Sequence, residues 1–443
     1  MPATYQERTV KPTRAAPYAP GQRMSTTYVM SADDTSLHFD IDALTPKQIE
    51  EFESHKDLMG FLQVALIGLG KPDDHVMLYE AFGQKPWLGR LKQYEGFFNA
   101  MGLSPIPSAH WHFIPRDPFY DAAAEQLPET ECVTLYMTSG TNDVLHNDPD
   151  FFAVSQNVNS KVHFAKHAPR SGIPVPDTLV TTKKDIGSDL VAEFMNDHHN
   201  SVMLKILGLS GARNVTTVSS VDDCVEYLRE FGDEIDVILQ EKLDLDLYTE
   251  MTADLLVTDD TIRISNVRKI LFADGIWVGN LIGPEVVLTE GHKKELIRIG
   301  EYARQQGYTS PEGYNCGVDY FISDDDFKVT EINARWTGGL FPAEMIRLVG
   351  AEAHSCIAFV DLVCEDKFDS YLSFVERHLF KKENTDFSMI PLGASAIPQV
   401  IEGVEHFFAW QIVVGDFEAF KTRRAAELGD GALMRAESIS VLL

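Results

Sequence analysis

Asp319, Glu331, Asn333 and Arg335 set two carboxylates, an amide and a guanidinium along one short stretch of the chain. Side chains two apart on a strand share a face, so Glu331, Asn333 and Arg335 point the same way if this stretch is extended. The upstream run around Val318, Tyr320 and Ile322 also alternates, and Asp324, Asp325 and Asp326 form an acidic turn between the two. A three-residue loop at that turn places Phe321 opposite Val329 and Asp319 opposite Glu331. Directly paired side chains have Cβ atoms about 4.5–5.5 Å apart. Two carboxylates that close repel unless a cation joins them. With the Asn333 oxygen they make a hard, all-oxygen set suited to Mg²⁺. A four-residue loop would shift the register by one and break this geometry. The competing reading is a surface hairpin with solvated charges. Ile332 and Ala334, apolar on the opposite face, favour the metal.

A second candidate is Lys205, inside the apolar strand Ser201 to Leu207, where a lysine is costly to bury without an anion beside it. The loop after it carries Gly208, Ser210, Gly211 and Arg213, and its free backbone N–H groups could fold over phosphates. The bland alternative is a snorkelling lysine next to a hairpin turn. Gly338 and Gly339 precede a helix opened by Pro342, a start suited to a carboxylate or phosphate. Other patterns carry less. Gly68, Gly70 and Lys71 follow an apolar run but lack phosphate-loop spacing. His110 and His112 fall on one face of a strand with no third ligand, and His163 and His167 lack the glutamate of a zinc helix.

These residues need elements to position them. Pro46 starts a helix reaching Leu58, and Phe61 to Leu69 reads as an apolar strand. Ser160 caps a helix from Lys161 to about Arg170, stopped by Gly172. Asp222 to Phe231 is a helix, and Val237 to Leu239 a buried strand leading into Gln240, Glu241, Lys242 and Leu243. Further strands are Tyr248 to Val257, with Glu250, Thr252 and Asp254 on one face, Thr261 to Val267, and Ile270 past Gly275 to Val278. Helices follow at Glu290 to Gln306 and Ser370 to Leu379, and Ser438 to Leu442 is a short strand.

The 443 residues exceed one ordinary core. A net charge of -29 argues against nucleic acid or an anionic membrane as partner, though a local cluster of cations can still hold small anions. Five scattered cysteines without CxxC spacing, and a first two dozen residues without an apolar signal core, lead us to expect a reducing, cytoplasmic setting.

The ordered set of Lys161 at a helix start, Lys205 before a glycine loop, Gln240-Glu241 after a buried strand, and Asp319 with Glu331-Ile-Asn333-Ala-Arg335 resembles the ATP-grasp ligases over residues 155–350. Within them the chain looks most like the pheganomycin-type peptide ligase group. The resemblance implies an α/β (α+β) fold: a disordered arm (1–25), a pre-ATP-grasp α/β domain (26–155), two α+β subdomains (156–240 and 241–365) and a C-terminal domain (366–443). It further implies that Lys161 and Lys205 contact ATP phosphates, that Glu241 to Leu243 hold adenine, and that Gly208 to Asn214 close over the phosphates. Asp319, Glu331 and Asn333 would hold Mg²⁺ or Mn²⁺, and Arg335, with Arg268 as a second cation, would stabilise an acyl phosphate. The usual Gly-x-Glu element after the hinge is absent, so Asp244, Asp246 and Glu250 compete for the ribose.

The expected activity joins a small-molecule carboxylate to an amine at the expense of ATP, with homodimerisation through the N-terminal domain. A small-molecule kinase on the same fold and a non-catalytic nucleotide-binding regulator are the alternatives. No Ser-His-Asp or Cys-His pattern is read from the sequence.

Overall fold

The apolar run expected as a strand is the helix Gly60–Leu69, with every residue buried. Periodicity cannot separate a buried strand from a helix enclosed on all sides, and here the run is long enough for a helix. This computed structural model describes residues 25–31, 46–128, 131–134, 149–206, 215–273, 276–324, 326–382, 386–429 and 439. The arm 1–24, the glycine loop 207–214 and the strand expected at 438–442, apart from Ile439, lie outside the described residues.

The N-terminal unit contains β1 (Thr26–Val29), α1 (Pro46–Leu58), α2 (Gly60–Leu69), β2 (His75–Tyr79), α3 (Trp87–Ala100), β3 (Trp111–Ile114), α4 (Phe119–Glu125) and β4 (Glu131–Thr134). Its strands form a parallel sheet in the order β3-β2-β1-β4. Because Gly68 lies inside α2 and Gly70 caps its end, the turn there is helix-to-strand, which removes the phosphate-loop reading. His110 closes a 3-10 turn ahead of β3 instead of sharing the strand with His112.

Helices α5 (Pro149–Asn159) and α6 (Lys161–His167) lead into a small antiparallel sheet. Its elements are β5 (Thr178–Thr182), α7 (Asp189–Asp197), β6 (Val202–Ile206), β7 (Val215–Val218), α8 (Val221–Tyr227) and β8 (Asp236–Glu241), with strand order β5-β8-β6-β7. The large sheet begins with β9 (Thr249–Val257), β10 (Ile262–Ala273) and β11 (Ile276–Ile282). The two strands expected at 261–267 and 270–278 are thus differently divided: β10 is one strand, irregular between Ile264 and Asn266, and the break falls after Ala273. Then come α9 (Glu290–Gln305), β12 (Tyr314–Ile322), β13 (Phe327–Asn333), α10 (Leu340–Val349), β14 (Cys356–Cys364), α11 (Glu365–Arg377), β15 (Phe387–Ala394), β16 (Gln399–Ile401), β17 (Val404–Gly415) and α12 (Phe417–Leu428).

The large sheet runs β13-β12-β9-β10-β11-β14-β17-β15, with β16 on β17. It crosses residue 365, because β14 pairs along its length with β17. The last strands share one core with the N-terminal unit. Helix α2 packs on β15 so closely that a Cβ at Gly393 would lie 2.2 Å from the Phe61 carbonyl oxygen. No helix among the described residues is long and apolar enough to cross a membrane.

Candidate active site

The Asp319–Glu331 pairing expected from the sequence is present, but by a different route. The loop between Ile322 and Phe327 has the four residues that should have broken the register, and Phe321 faces Lys328, not Val329. An irregularity between Asp319 and Tyr320 then absorbs one extra residue, Thr330, and restores the pairing. Such a bulge sets two residues against one on the partner strand. Thr330 Oγ1 donates to the Asp319 carbonyl oxygen at 3.1 Å. Thr330 and Glu331 consequently both avoid the core, while Val329 and Ile332 on either side are buried.

The pairing continues across the sheet, so that Glu331, Asp319, Thr252 and Arg268 form one row over four strands. Met251, Ala253, Val318, Tyr320 and Ile332 pack the opposite face against α9 and α6. Burial and the neighbouring Glu331 push the Asp319 carboxyl up. Burial alone would also raise Glu331, but Lys161 and Lys205 outweigh it and hold Glu331 down. That opposite displacement is what like charges sharing one space produce. Asn333 Nδ2 donates to Asp319 Oδ2 at 3.0 Å, and a half-turn of the amide would present its oxygen instead. Two carboxylates and an amide fit a hard divalent ion, which would let both acids stay ionised. No group of three His, Cys, Asp or Glu side chains suited to a metal occurs among the described residues, so the amide is part of any such set.

The lysines come from elements outside the large sheet. Lys161 opens α6, whose N-cap Ser160 accepts from the His163 amide, and its Nζ lies 2.7 Å from Glu331 Oε2. Asn159 fixes that helix start by donating to the Ala334 carbonyl oxygen at 3.1 Å. Lys205 Nζ donates to Gln240 Oε1 at 2.7 Å, and Gln240 Nε2 donates to Thr178 Oγ1 at 3.0 Å. Burial, then the charge of Lys161, brings Lys205 down to about 8, with Glu331, Glu250 and Asp319 acting the other way. Glu250 belongs to the same electrostatic cluster. Burial and Asp319 raise it to about 8, against the pull of Lys205.

At the junction of the sheets the Glu241 amide donates to the Asp177 carbonyl oxygen at 2.8 Å. Lys242 is exposed and Leu243 buried, and Asp244 and Asp246 lie on an exposed turn beyond them. Arg335 is half-buried beside Asn333. Arg268 is fully buried and ion-paired with Asp254, and it does not line the open cleft. Gly208, Ser210 and Gly211 are outside the described residues.

Sequence reasoning missed Thr337, which only tertiary contact brings to Asp254. It also missed Cys364 Sγ, 3.0 Å from His406 Nε2 through the pairing of β14 and β17. His75 is a third imidazole beside His110 and His112, delivered by the parallel pairing of β2 with β3. None of these contacts leaves a local sequence signal.

No protein-family model matches the sequence, and no curated protein matches it either. Solved structures do. N5-carboxyaminoimidazole synthetase from Staphylococcus aureus superposes with a TM-score of 0.54 at 10% identity, over 91% of this chain and 97% of that one. Phosphoribosylamine–glycine ligase from Thermotoga maritima gives 0.52 at 12%, over 92% and 98%. The biotin carboxylase domain of the Hydrogenobacter thermophilus 2-oxoglutarate carboxylase gives 0.52 at 10%, over 93% and 91%. At such identities the likeness speaks for architecture alone: the chain has the ATP-grasp fold, N-terminal unit included.

Proposed function

We propose that this protein is an ATP-dependent carboxylate–amine ligase that forms an amide through an acyl phosphate and releases ADP and phosphate. The observation that carries the reading is the placement of Asp319 and Glu331 directly opposite Lys161 and Lys205. The structural neighbours support it: the H. thermophilus domain was crystallised with MgADP and bicarbonate, and N5-carboxyaminoimidazole synthase from Aspergillus clavatus with ADP and an aminoimidazole ribonucleotide.

A carboxylate is a poor electrophile because its charge repels nucleophiles. Its oxygen would attack the γ-phosphorus of ATP, the bond to the β,γ-bridging oxygen would break, and ADP would leave. An amine would then attack the acyl carbon, lose a proton and expel phosphate. Lys161 and Lys205 would hold the phosphates, and Arg335 the charge that develops on the acyl phosphate. Asp319, Glu331 and Asn333 would hold Mg²⁺ or Mn²⁺, which supplies charge neutralisation between the β- and γ-phosphates. Gln240 and the backbone from Glu241 to Leu243 would receive adenine, with Gly208, Ser210 and Gly211 closing over the phosphates. For the ribose, Glu250 suits better than Asp246, because it shares the charge cluster of Lys205 and Asp319 whereas Asp246 lies on an exposed turn. An amino acid or peptide-like acid is the substrate class we favour, and a homodimer the assembly.

Phosphate release from ATP with a panel of amino acids, followed by mass spectrometry of the products, tests this. Amide plus ADP is the expected outcome. AMP with pyrophosphate would overturn the acyl phosphate, and a stable phosphorylated product would make the protein a kinase.

A further inference from the structure

We propose that Asp254 positions the loop from Arg335 to Gly339 for chemistry on the carboxylate, with Arg268 serving under that loop and not at the reacting atoms. The proposal rests on the ligase reading for its chemical meaning, though its structural part stands apart from it.

Asp254 and Arg268 are both 0% exposed, and Asp254 Oδ2 accepts from Arg268 Nη1 at 2.5 Å. The other contacts of Asp254 all lead to the loop. Its Oδ1 accepts from Asn315 Nδ2 at 2.9 Å, and the same amide nitrogen donates to the Arg335 carbonyl oxygen at 2.9 Å. Asp254 Oδ1 also accepts from Thr337 Oγ1 at 3.0 Å, and Thr337 Oγ1 in turn accepts from the Leu340 amide at 3.2 Å. One buried carboxylate therefore ties both ends of the loop, through Asn315 at Arg335 and through Thr337 at the first residue of α10. A hydroxyl has one proton to give and two lone pairs, so Thr337 can serve both partners at once.

The two glycines show which side of the loop is closed. A Cβ on Gly339 would lie 2.4 Å from Arg268 Nε, so the guanidinium packs directly beneath that residue. A Cβ on Gly338 would meet no atom within 4 Å. The loop thus rests on the Asp254–Arg268 pair and turns its other side to open space, next to Asn333 and Arg335. Arg268 is spread over Asp254, Asn266, Thr252 and Thr337, which leaves it holding the floor of the loop. No hydrogen bond links Asp254 to Lys161, Lys205, Gln240 or Glu250 among the described residues. Asp319 is reached through Arg268, whose Nη2 donates to Thr252 Oγ1 at 3.4 Å, and through Thr252, which hydrogen-bonds Asp319 in turn.

The test uses the full chain with Thr337→Val, Thr337→Ser and Asp254→Asn. Hydrogen exchange of the amides from 335 to 340 reads the loop, calorimetry reads MgADP binding, and phosphate release from ATP with the panel of amino acids reads turnover. In Thr337→Val, exchange in the loop should rise about ten-fold, the scale of one lost hydrogen-bond link. Affinity for MgADP should stay within about two-fold, as for sites that share no partner. Turnover should fall about 10²-fold at unchanged KM for ATP, the scale of a small misplacement of a reacting group. Thr337→Ser keeps the hydroxyl and should restore all three. Unchanged exchange in Thr337→Val would overturn the proposal, as would an affinity loss as large as the loss of turnover. Asp254→Asn should loosen the loop further, and if it fails to fold the Thr337 pair decides. Absence of MgADP binding by the parent protein would overturn the ligase reading, whereas the exchange result would still judge the positioning role.

Discussion

Asp319 and Asp254 project from neighbouring strands onto the same face of one sheet, yet their surroundings are opposite. Asp319 pairs with Thr252 on one side and Glu331 on the other, so a like charge is its cross-strand neighbour. Asp254 pairs with Gly317 and Asn266, and it is closed in by Arg268, Asn315 and Thr337. One carboxylate is answered wholly from within the protein. The other accepts from Asn333 yet keeps a like charge as its neighbour, against the tendency of buried charges to be paired with opposite ones. The difference separates scaffold from proposed site: the acid paired with a cation holds structure, and the acid set beside another acid is the one we propose to bind a cation.

The contrast is broken most severely at Asp254. Replacing Asp254 with Ala leaves Arg268 buried without its counter-charge, which should cost about 3–5 kcal/mol in urea unfolding. A loss under about 1 kcal/mol would mean that the pair is not the scaffold described. Glu331→Gln should do the reverse. Its ion pair with Lys161 is partly exposed, so stability should change by about 1 kcal/mol or less, while turnover falls about 10²–10³-fold. Normal turnover in that variant would remove the metal assignment. A third effect, spread over several pH units, concerns Glu250, whose pKa is raised from 4.5 to about 8. A carboxyl raised on folding contributes stability that is full below its unfolded pKa and is lost as pH rises through the folded one. The ligand-free protein should therefore weaken between pH 4.5 and about 8, by on the order of 1 kcal/mol per pH unit at most. Glu250→Gln should flatten that slope, and an unchanged slope would place the titration elsewhere.

The site was legible wherever a strand period could be read. Alternation put Glu331 and Asn333 on one face, and Glu250, Thr252 and Asp254 on another that proves to be the same face of the same sheet, while Arg335 lies past the end of β13. The turn was not legible, because a bulge has no mark beyond a break in alternation, and Thr330 beside Glu331 looks like ordinary polar sequence. Loop length and bulge each moved the register by one, in compensating directions. Helix α2 was misread for want of any polar face. The tie between Asp254 and Thr337 spans 83 positions, and only the folded sheet brings them together.

The contact of α2 with β15 has a consequence for how the molecule can be made. A chain emerging from the ribosome offers α2 well before β15, with β2 to β14 between them. Until Phe387–Ala394 arrives, the apolar face of α2 that meets Gly393 has no cover. Helix α2 is thus made long before the strand that covers it, and a product cut short before Phe387 would present that face to whatever hydrophobic surface it meets first.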